Sequence, residues 1–288
     1  MRGVEKRPHR KRWWSFWKPE VEQDINWESE MGIKKEITIG ECRLILGDCL
    51  DEMKDIPDGS INAIITDIPY GTTACKWDTI IPFELMWGQL KRIIKPNGAI
   101  VLFGSQPFTS ALVMSNIKMF KYEWVWEKDA GANFANVNYQ PFRVHENILV
   151  FGDFATSFNK KRQKNYNPQM TEGKPYSIIS GKQKHDTLNA GSAKDGEYLT
   201  ENTGTRHPRS VMKISKDNHK LHPTQKPVEL MEYLIKTYTN KGDTVLDFTM
   251  GSGTTMVACD NFGRKGIGVE LDENYFNIAV KRLQDNQL

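Results

Sequence analysis

Thr244-Val-Leu-Asp-Phe-Thr-Met-Gly-Ser-Gly-Thr-Thr255 is the stretch on which the fold turns. Thr244–Phe248 is a short apolar and β-branched run and reads as a buried strand, and Thr254–Phe262 reads as a helix. Gly251 and Gly253 lie between them. Glycines at such a junction let the backbone come close to a ligand, and the helix N-terminus adds free N–H groups and the positive end of its dipole. The three-glycine spacing of a dinucleotide fold is absent, as is the Lys-Ser/Thr of a phosphate-binding loop, so the ligand need not carry a pyrophosphate. Lys265–Leu271 reads as the next strand, and its Glu270 stands 23 residues after Asp247. A carboxylate there can accept hydrogen bonds from both ribose hydroxyls. A nucleoside joined to an uncharged or cationic group suits these residues, and S-adenosylmethionine (SAM) is the obvious candidate. A tight structural turn explains the glycines alone about as well; Glu270 at its spacing tips the reading toward a ligand.

The same alternation runs through much of the chain. Cys42–Asp48 and Ile61–Asp67 are apolar runs that each end in an acid. Phe83–Ile94 has helical spacing and stops at Lys95-Pro96-Asn97-Gly98, a breaker and turn. Ala99–Gly104 is a buried strand, Gln106–Ile117 a helix, and Lys121–Lys128 and Glu146–Gly152 two further strands. Pro227–Asn240 is a helix with proline at its start, and Glu273–Leu283 closes the chain. Near-continuous apolar strands alternating with helices predict an α/β fold with a mostly parallel sheet covered on both faces. Ligands of such sheets gather beyond the carboxyl ends of the strands, where Asp48, Asp67, Asp247 and Glu270 all fall.

Two stretches break the pattern. From about Asp153 to Lys220 the chain is rich in Lys, Asn, Ser, Thr and Gly, too long for an ordinary loop, and it reads as an inserted recognition region, with a disordered insertion as the rival reading. Residues 1–20 carry a net charge of +5 and residues 157–220 one of +7, which leaves −9 for the remainder of a chain whose total is +3. An acidic body with two basic segments is the footprint of a polyanion binder; solvated loops with spare lysines would give the same charges. The first 30 residues, with Arg10-Lys11-Arg12 running into Trp13, Trp14 and Trp17, show no defensible periodicity. Met31 is the expected biological start, since Trp27-Glu28 must be encoded by a purine-rich GGGA-containing stretch that would serve as a bacterial or phage ribosome-binding site. The alternative is a basic, aromatic arm that touches nucleic acid.

The 288 residues suit one large domain or two small ones, and 39% hydrophobic content is that of a globular protein. No apolar run approaches the ~20 residues of a membrane helix. Cys42, Cys49, Cys75 and Cys259 form no CxxC pair, which excludes a disulfide scaffold and a Cys-rich zinc site and suits a reducing cytoplasm.

Asp67-Ile68-Pro69-Tyr70 follows a buried strand and leads into Gly71. Taken alone, Asp67 could be a turn cap and Tyr70 a core aromatic. The chemistry is more specific. The exocyclic amino group of a base is a poor nucleophile because its lone pair is delocalised into the ring. A carboxylate and a backbone carbonyl that accept its two N–H bonds localise that lone pair. Proline locks the turn, and tyrosine offers a face on which an extruded base stacks.

Asp67–Tyr70 resembles the (D/N/S)PP(Y/F/W) motif of amino-group DNA methyltransferases. Asp247–Thr255 resembles their FxGxG-containing SAM motif, and His222-Pro-Thr-Gln-Lys-Pro227 closely matches the HPTQKP segment of their β class, in which the catalytic motif also comes first. Leu46-Gly-Asp48 fits as well. The resemblance covers roughly residues 36–152 and 220–286. It implies a SAM-dependent methyltransferase fold, Rossmann-like and circularly permuted, with about seven strands and Lys121–Lys128 and Glu146–Gly152 as an antiparallel edge. Residues 1–35 become a basic extension, expected to be disordered, 36–152 the catalytic half, 153–220 the target recognition insert and 221–288 the SAM-binding half. Asp67 and the Pro69 carbonyl would accept from the target amino group and Tyr70 would stack on the flipped base. Asp247, Gly251, Gly253, Thr254 and Glu270 would hold SAM, with Asp48 at its adenine ring and Thr224 at its methionine end. Ile68 stands where the motif has its first proline; the groups needed for chemistry remain.

The implied reaction is direct methyl transfer from SAM to adenine N6 in double-stranded DNA, in the cytoplasm of a bacterium or phage-infected cell. A homodimer and a cognate restriction nuclease are partners the resemblance leaves open. Arg206, Arg209 and the asparagines of the insert are base-reading candidates by type. The rivals are cytosine-N4 methylation at the same site, a SAM- and DNA-binding homologue without turnover, and methylation of RNA or protein. Cytosine-C5 chemistry would need a nucleophilic cysteine, conventionally after proline, and no Pro-Cys occurs.

Overall fold

The structure is a computed structural model that describes residues 35–72, 78–131, 133–156, 166–180, 198–217 and 221–288. The expectations for the Trp-rich extension, Met31, Cys75 and much of the lysine-rich stretch lie outside these residues. In chain order the elements are β1 (Lys35–Ile39), β2 (Cys42–Leu46), α1 (Cys49–Glu52), β3 (Ile61–Thr66), α2 (Phe83–Ile93), β4 (Ile94–Gly104), α3 (Phe108–Ser115), β5 (Phe120–Glu127), β6 (His145–Phe151), β7 (Thr171–Glu172), β8 (Tyr176–Ser180), β9 (Tyr198–Asn202), β10 (Thr205–Arg206), β11 (Val211–Lys213), α4 (Val228–Tyr238), β12 (Thr244–Asp247), α5 (Thr254–Asn261), β13 (Lys265–Glu270) and α6 (Glu273–Asn286).

One sheet organises them, in the order β1-β2-β13-β12-β3-β4-β6-β5-β11. Strands β2, β13, β12, β3 and β4 are mutually parallel. β6 runs antiparallel to both β4 and β5, the reversed edge expected of these two segments. Among the described residues the sheet has nine strands rather than seven. β1 returns antiparallel onto β2 through Gly40, at φ +55°; it is an edge strand exposed along most of its length, so its sequence lacks the apolar run that marked the others. β11 adds parallel to β5. It is three residues long with only Met212 buried, too little pattern to show within a polar stretch, and it ties residues 211–213 into the main sheet. The other strands of that stretch form two small antiparallel pairs, β7 with β10 and β8 with β9.

A second difference concerns Lys95-Pro96-Asn97-Gly98, which continues β4 instead of forming a turn. Asn97 adopts φ +63°, and the pairing of β3 with β4 shifts register there. The residues that signalled a turn make a bulge, the other local use of a left-handed residue.

Every residue of β3 is buried, and successive side chains feed opposite faces of the sheet. Ala63 and Ile65 join Leu230, Leu234, Met256 and Phe276, from α4, α5 and α6. Ile64 joins Met86, Trp87, Leu90 and Leu112, from α2 and α3. The chain passes from β12 through α5 to β13 on one side and from β3 through α2 to β4 on the other. The strand order therefore reverses between β12 and β3, and such a switch point opens a crevice beyond the carboxyl ends.

Candidate active site

Asp67 leaves the carboxyl end of β3 at that crevice. Its Oδ1 accepts from the Tyr70 hydroxyl at 2.6 Å and its Oδ2 from Lys226 Nζ at 2.5 Å. Lys226, just ahead of α4, also pairs with Glu146 at 3.2 Å and lies 5.0 Å from the centre of the Phe103 ring. Glu146, near the start of β6, accepts from Lys128 at 2.8 Å. The result is a line of alternating charge, Asp67–Lys226–Glu146–Lys128, with side-chain exposures of 20, 7, 17 and 4%. Two anions and two cations balance, which is the condition for burying charge without a large penalty. Burial pushes the Asp67 carboxyl above its usual range, with Lys226 opposing and Glu146 adding to the rise. Burial works against the Lys226 ammonium, but Asp67 and Glu146 outweigh it and raise its pKa. Burial would raise Glu146 too, yet Lys226 and Lys128 hold it at about 2.

The turn that carries Asp67 is held from outside. Asp78, 8% exposed, accepts from the amides of Tyr70 and Gly71 at 2.8 Å and of Thr72 at 2.9 Å. Thr249 Oγ1 donates to the Asp67 carbonyl at 3.1 Å. Ile68 is buried in the apolar cluster shared with α2 and α3, and Pro69 is half-buried. The Tyr70 ring stacks on Phe108, centres 5.1 Å apart. Burial and the Asp67 charge raise the Tyr70 pKa well above normal, so its hydroxyl stays a donor.

On the neighbouring strand, Asp247 ends β12 with three hydrogen bonds from the protein. It accepts from Thr66 Oγ1 at 2.6 Å, Thr255 Oγ1 at 2.5 Å and the Thr249 amide at 3.2 Å, and burial raises its pKa to about 6. Its role here is to tie the ends of β3 and β12 together. Thr254 is likewise turned inward, with its hydroxyl accepting from Arg282 at 2.8 Å. Gly251 and Gly253 adopt φ of +54° and +76°, values that favour glycine. A Cβ on Gly253 would also lie 2.8 Å from that of Ala279.

Glu270, at the end of β13, accepts from the amides of Gly251 and Asp272, both at 2.8 Å. A carboxylate offers about four acceptor positions, so this anchoring leaves room for ribose hydroxyls. Burial raises its pKa above the usual range. Gly47 donates to the Glu270 carbonyl at 2.9 Å, which sets Asp48 beside it. Asp48 caps α1 through the amides of Leu50 and Asp51 at 2.8 and 3.4 Å. Thr224 is exposed and bonds His222 Nδ1 through its hydroxyl at 3.0 Å. His222 packs against Tyr275 and over Gly251, and burial lowers its pKa to about 4, so it is neutral at pH 7. Ser252 donates to Gln225 at 3.1 Å. The residues fit a nucleoside held between the Gly251–Gly253 turn, Glu270 and Asp48. The His222–Pro227 segment spans both halves of the crevice: His222, Thr224 and Gln225 lie at the glycine turn and Lys226 at Asp67.

Four residues of this site carried no assigned role in the sequence. Lys226 lies inside the His222–Pro227 motif, and the sequence alone does not show what its charge pairs with. Glu146 and Lys128 flank apolar strands as lone charges, which is also what an ordinary strand end looks like. Asp78 gave no signal.

A family model described as DNA methylase, N6_N4_Mtase, matches residues 61–281. The type II methyltransferase M.HpaI of Haemophilus parainfluenzae is 28% identical over 254 residues, covering 84% of this chain and 74% of that protein. The DNA adenine methyltransferase YhdJ of Escherichia coli (strain K12) is 28% identical over 259 residues, covering 83% and 82%. Among solved structures, the complex of M1.HpyAVI with SAM is similar at a TM-score of 0.55 and 27% identity, covering 84% of this chain and 99% of that one. The family match runs from β3 into α6 and takes in the Asp67 turn, the Lys226 segment and the glycine turn together. This chain belongs to the N6_N4_Mtase family of DNA methylases.

Proposed function

We propose that this protein transfers a methyl group from SAM to the N6 amino group of adenine in double-stranded DNA, with the target base turned out of the helix. The observation that carries this reading is the Asp67 carboxylate, held at the sheet's switch point by Lys226 at 2.5 Å, a residue of the same segment whose His222 lies over Gly251, itself bonded to Glu270. SAM supplies an electrophilic methyl on a positively charged sulfur. Glu270, Asp48 and the Gly251–Gly253 turn hold its nucleoside, and the His222–Gln225 segment lies against the other end. Asp67 and the Pro69 carbonyl accept the two N–H bonds of the adenine amino group and draw its lone pair out of the ring. Tyr70 stacks on the base. Lys226 opposes the rise that burial gives the Asp67 carboxyl, and Asp67 is the carboxylate placed to take the proton the amino nitrogen sheds.

Adenine is favoured because Asp heads the catalytic tetrapeptide, as in the family members that mostly modify adenine, and because the relative YhdJ is named as an adenine enzyme. Residues 153–220 supply target recognition, their lysines contacting phosphates and making binding salt-dependent. Arg206 contributes to the shape of that region rather than to readout: it bonds Asn202 and the Thr205 and Lys174 carbonyls and lies 4.8 Å from the Tyr176 ring centre. The setting is the bacterial or phage-infected cytoplasm, and the type II relatives point to a cognate restriction nuclease as partner. The test is to methylate DNA, digest it to nucleosides and separate them by mass spectrometry. N6-methyladenine is expected, and Asp67→Ala should abolish its formation while SAM still binds. N4-methylcytosine as the sole product overturns the base assignment, and undiminished turnover by Asp67→Ala overturns the site.

A further inference from the structure

The 17 residues 128–144 connect β5 to β6. Glu127 pairs with His145 and Gly104 with Asn147, so the connection leaves the sheet at the same end as Asp67. Its outer part, Phe134-Ala-Asn-Val-Asn-Tyr-Gln-Pro-Phe-Arg143, is exposed throughout. Phe134 is 81% and Tyr139 89% exposed, large rings presented to water on a connection that leaves the sheet at the Asp67 end. Asn136 and Asn138 stand between them, Gln140 and Arg143 follow, and the segment has no carboxylate, on a protein whose body is otherwise acidic.

The base of this loop is built, not loose. Asn133, 8% exposed, donates to the Pro141 carbonyl at 3.0 Å and accepts from the Arg143 amide at 2.7 Å, closing the loop at its neck. Arg143 donates to Ser105 Oγ at 3.0 Å, just beyond β4. Lys216 donates to the Ala130 carbonyl at 3.0 Å. The two stems carry Lys128 and Glu146, the outer half of the charge line that ends on Asp67. A hydrogen-bonded neck joined to the Asp67 charge line thus carries two aromatic rings that form no ring–ring pair among the described residues.

We propose that residues 133–143 form a second DNA-contacting element, distinct from residues 153–220, which enters the duplex beside the target base and stacks Phe134 and Tyr139 on the bases left unpaired when the target turns out. This rests on the DNA methyltransferase reading. Duplex DNA fits the surface in three respects. Every base offers a π-face to an aromatic ring. Apolar wedges open base steps at a cost that is recovered in contact. Amides read base edges, while the lack of acids spares the loop repulsion from phosphates.

The test uses the full chain with Phe134→Ser and Tyr139→Ser combined; both side chains are exposed, so folding should be unaffected. Once the wild-type target is mapped, a duplex with 2-aminopurine at the target position reports flipping by fluorescence. The double variant should lose most of the fluorescence rise and show a KM for DNA raised roughly 10-fold or more, with SAM affinity unchanged. On a duplex with a mismatch opposite the target, already unpaired, the defect should shrink to within about threefold. Wild-type flipping and KM in the double variant overturn the proposal, as does an equal defect on paired and mismatched DNA. A changed oligomeric state in sedimentation with flipping intact makes the loop a subunit interface and also overturns it. If the wild-type chain methylates no DNA, the underlying functional reading fails; if it does and the variant is indifferent, only the loop assignment fails.

Discussion

Replacing Lys226 by methionine keeps an unbranched side chain against Phe103 and deletes one charge from a balanced line of four. Glu146 retains Lys128 at 2.8 Å. Asp67 loses its counter-ion at 2.5 Å and keeps the Tyr70 hydroxyl. Removing one partner of a buried pair costs about 3–5 kcal/mol. With Asp67 a fifth exposed, the lower end, about 3 kcal/mol, is the appropriate figure. The protein escapes most of this cost by protonating Asp67: burial and Glu146 already raise that carboxyl, and Lys226 is the chief group opposing them. A neutral Asp67 cannot draw out the amino lone pair as a carboxylate does. At pH 7 the methyl-transfer rate should therefore fall about 100-fold, the kinetic equivalent of about 3 kcal/mol. The loss should be recovered in part as the pH rises, because alkali restores the carboxylate. SAM affinity should be nearly unchanged, since Glu270 and the glycine turn are untouched. Single-turnover methylation from about pH 6 to about pH 9, with SAM affinity by calorimetry, reads both effects. A loss that is the same at every pH refutes the argument, as does a wild-type rate at pH 7. Lys226→Arg, which keeps the charge, should fall between the two.

Two further outcomes follow from the geometry. Glu270→Ala removes the ribose acceptor and frees the Gly251 amide, so SAM binding should weaken by about 1–3 kcal/mol; unchanged calorimetric affinity would sink the ribose role. Glu146, held at about 2 against an ordinary 4.5, contributes stability that is present above pH 4.5 and lost as the pH falls toward 2. Urea midpoints measured through that window should fall less steeply for Glu146→Gln than for the wild-type chain, and parallel curves would show that the pair contributes nothing.

What the sequence disclosed divides along a physical line. Strands buried on both faces, such as Ile61–Thr66, announce themselves because the whole run must be apolar. Turns that need a left-handed backbone announce themselves through glycine, as at Gly251 and Gly253. Edge strands give neither signal. Lys35–Ile39 faces water along most of its length, and Val211–Lys213 needs only Met212 to reach the core. Asn97 and Gly98 gave a true local signal, a left-handed residue, that serves a bulge in place of a turn; local chemistry does not choose between the two. The catalytic tetrapeptide and the glycine turn were legible as separate motifs. The line from Lys226 to Lys128 was not, because residues 128, 146 and 226 meet only through tertiary structure, and single charges beside strands are common on any surface. The same limit hid the partners of Asp247 and Thr254. Their place in a motif suggests ligand contact; in the fold Asp247 also bonds Thr66, Thr249 and Thr255, and Thr254 bonds Arg282.

Ile68 illustrates how a departure from a motif can be absorbed. A proline there would fix φ locally and remove states from the unfolded chain, an effect of about 0.4–1 kcal/mol at a compatible site. In this chain the shape of the turn is set by other means. Asp78 accepts three successive amides and Thr249 takes the Asp67 carbonyl, and net contributions of about 0.5–1.5 kcal/mol for each such bond match or exceed the proline effect. The side chain that replaces proline is 3% exposed and adds to the core that includes Met86, Leu90 and Phe108. Phe108 is also the ring on which Tyr70 stacks. Ile68 thus exchanges a local restraint for packing beneath the turn it belongs to, and the position of Asp67 depends on Asp78 and Thr249 rather than on the second residue of the tetrapeptide.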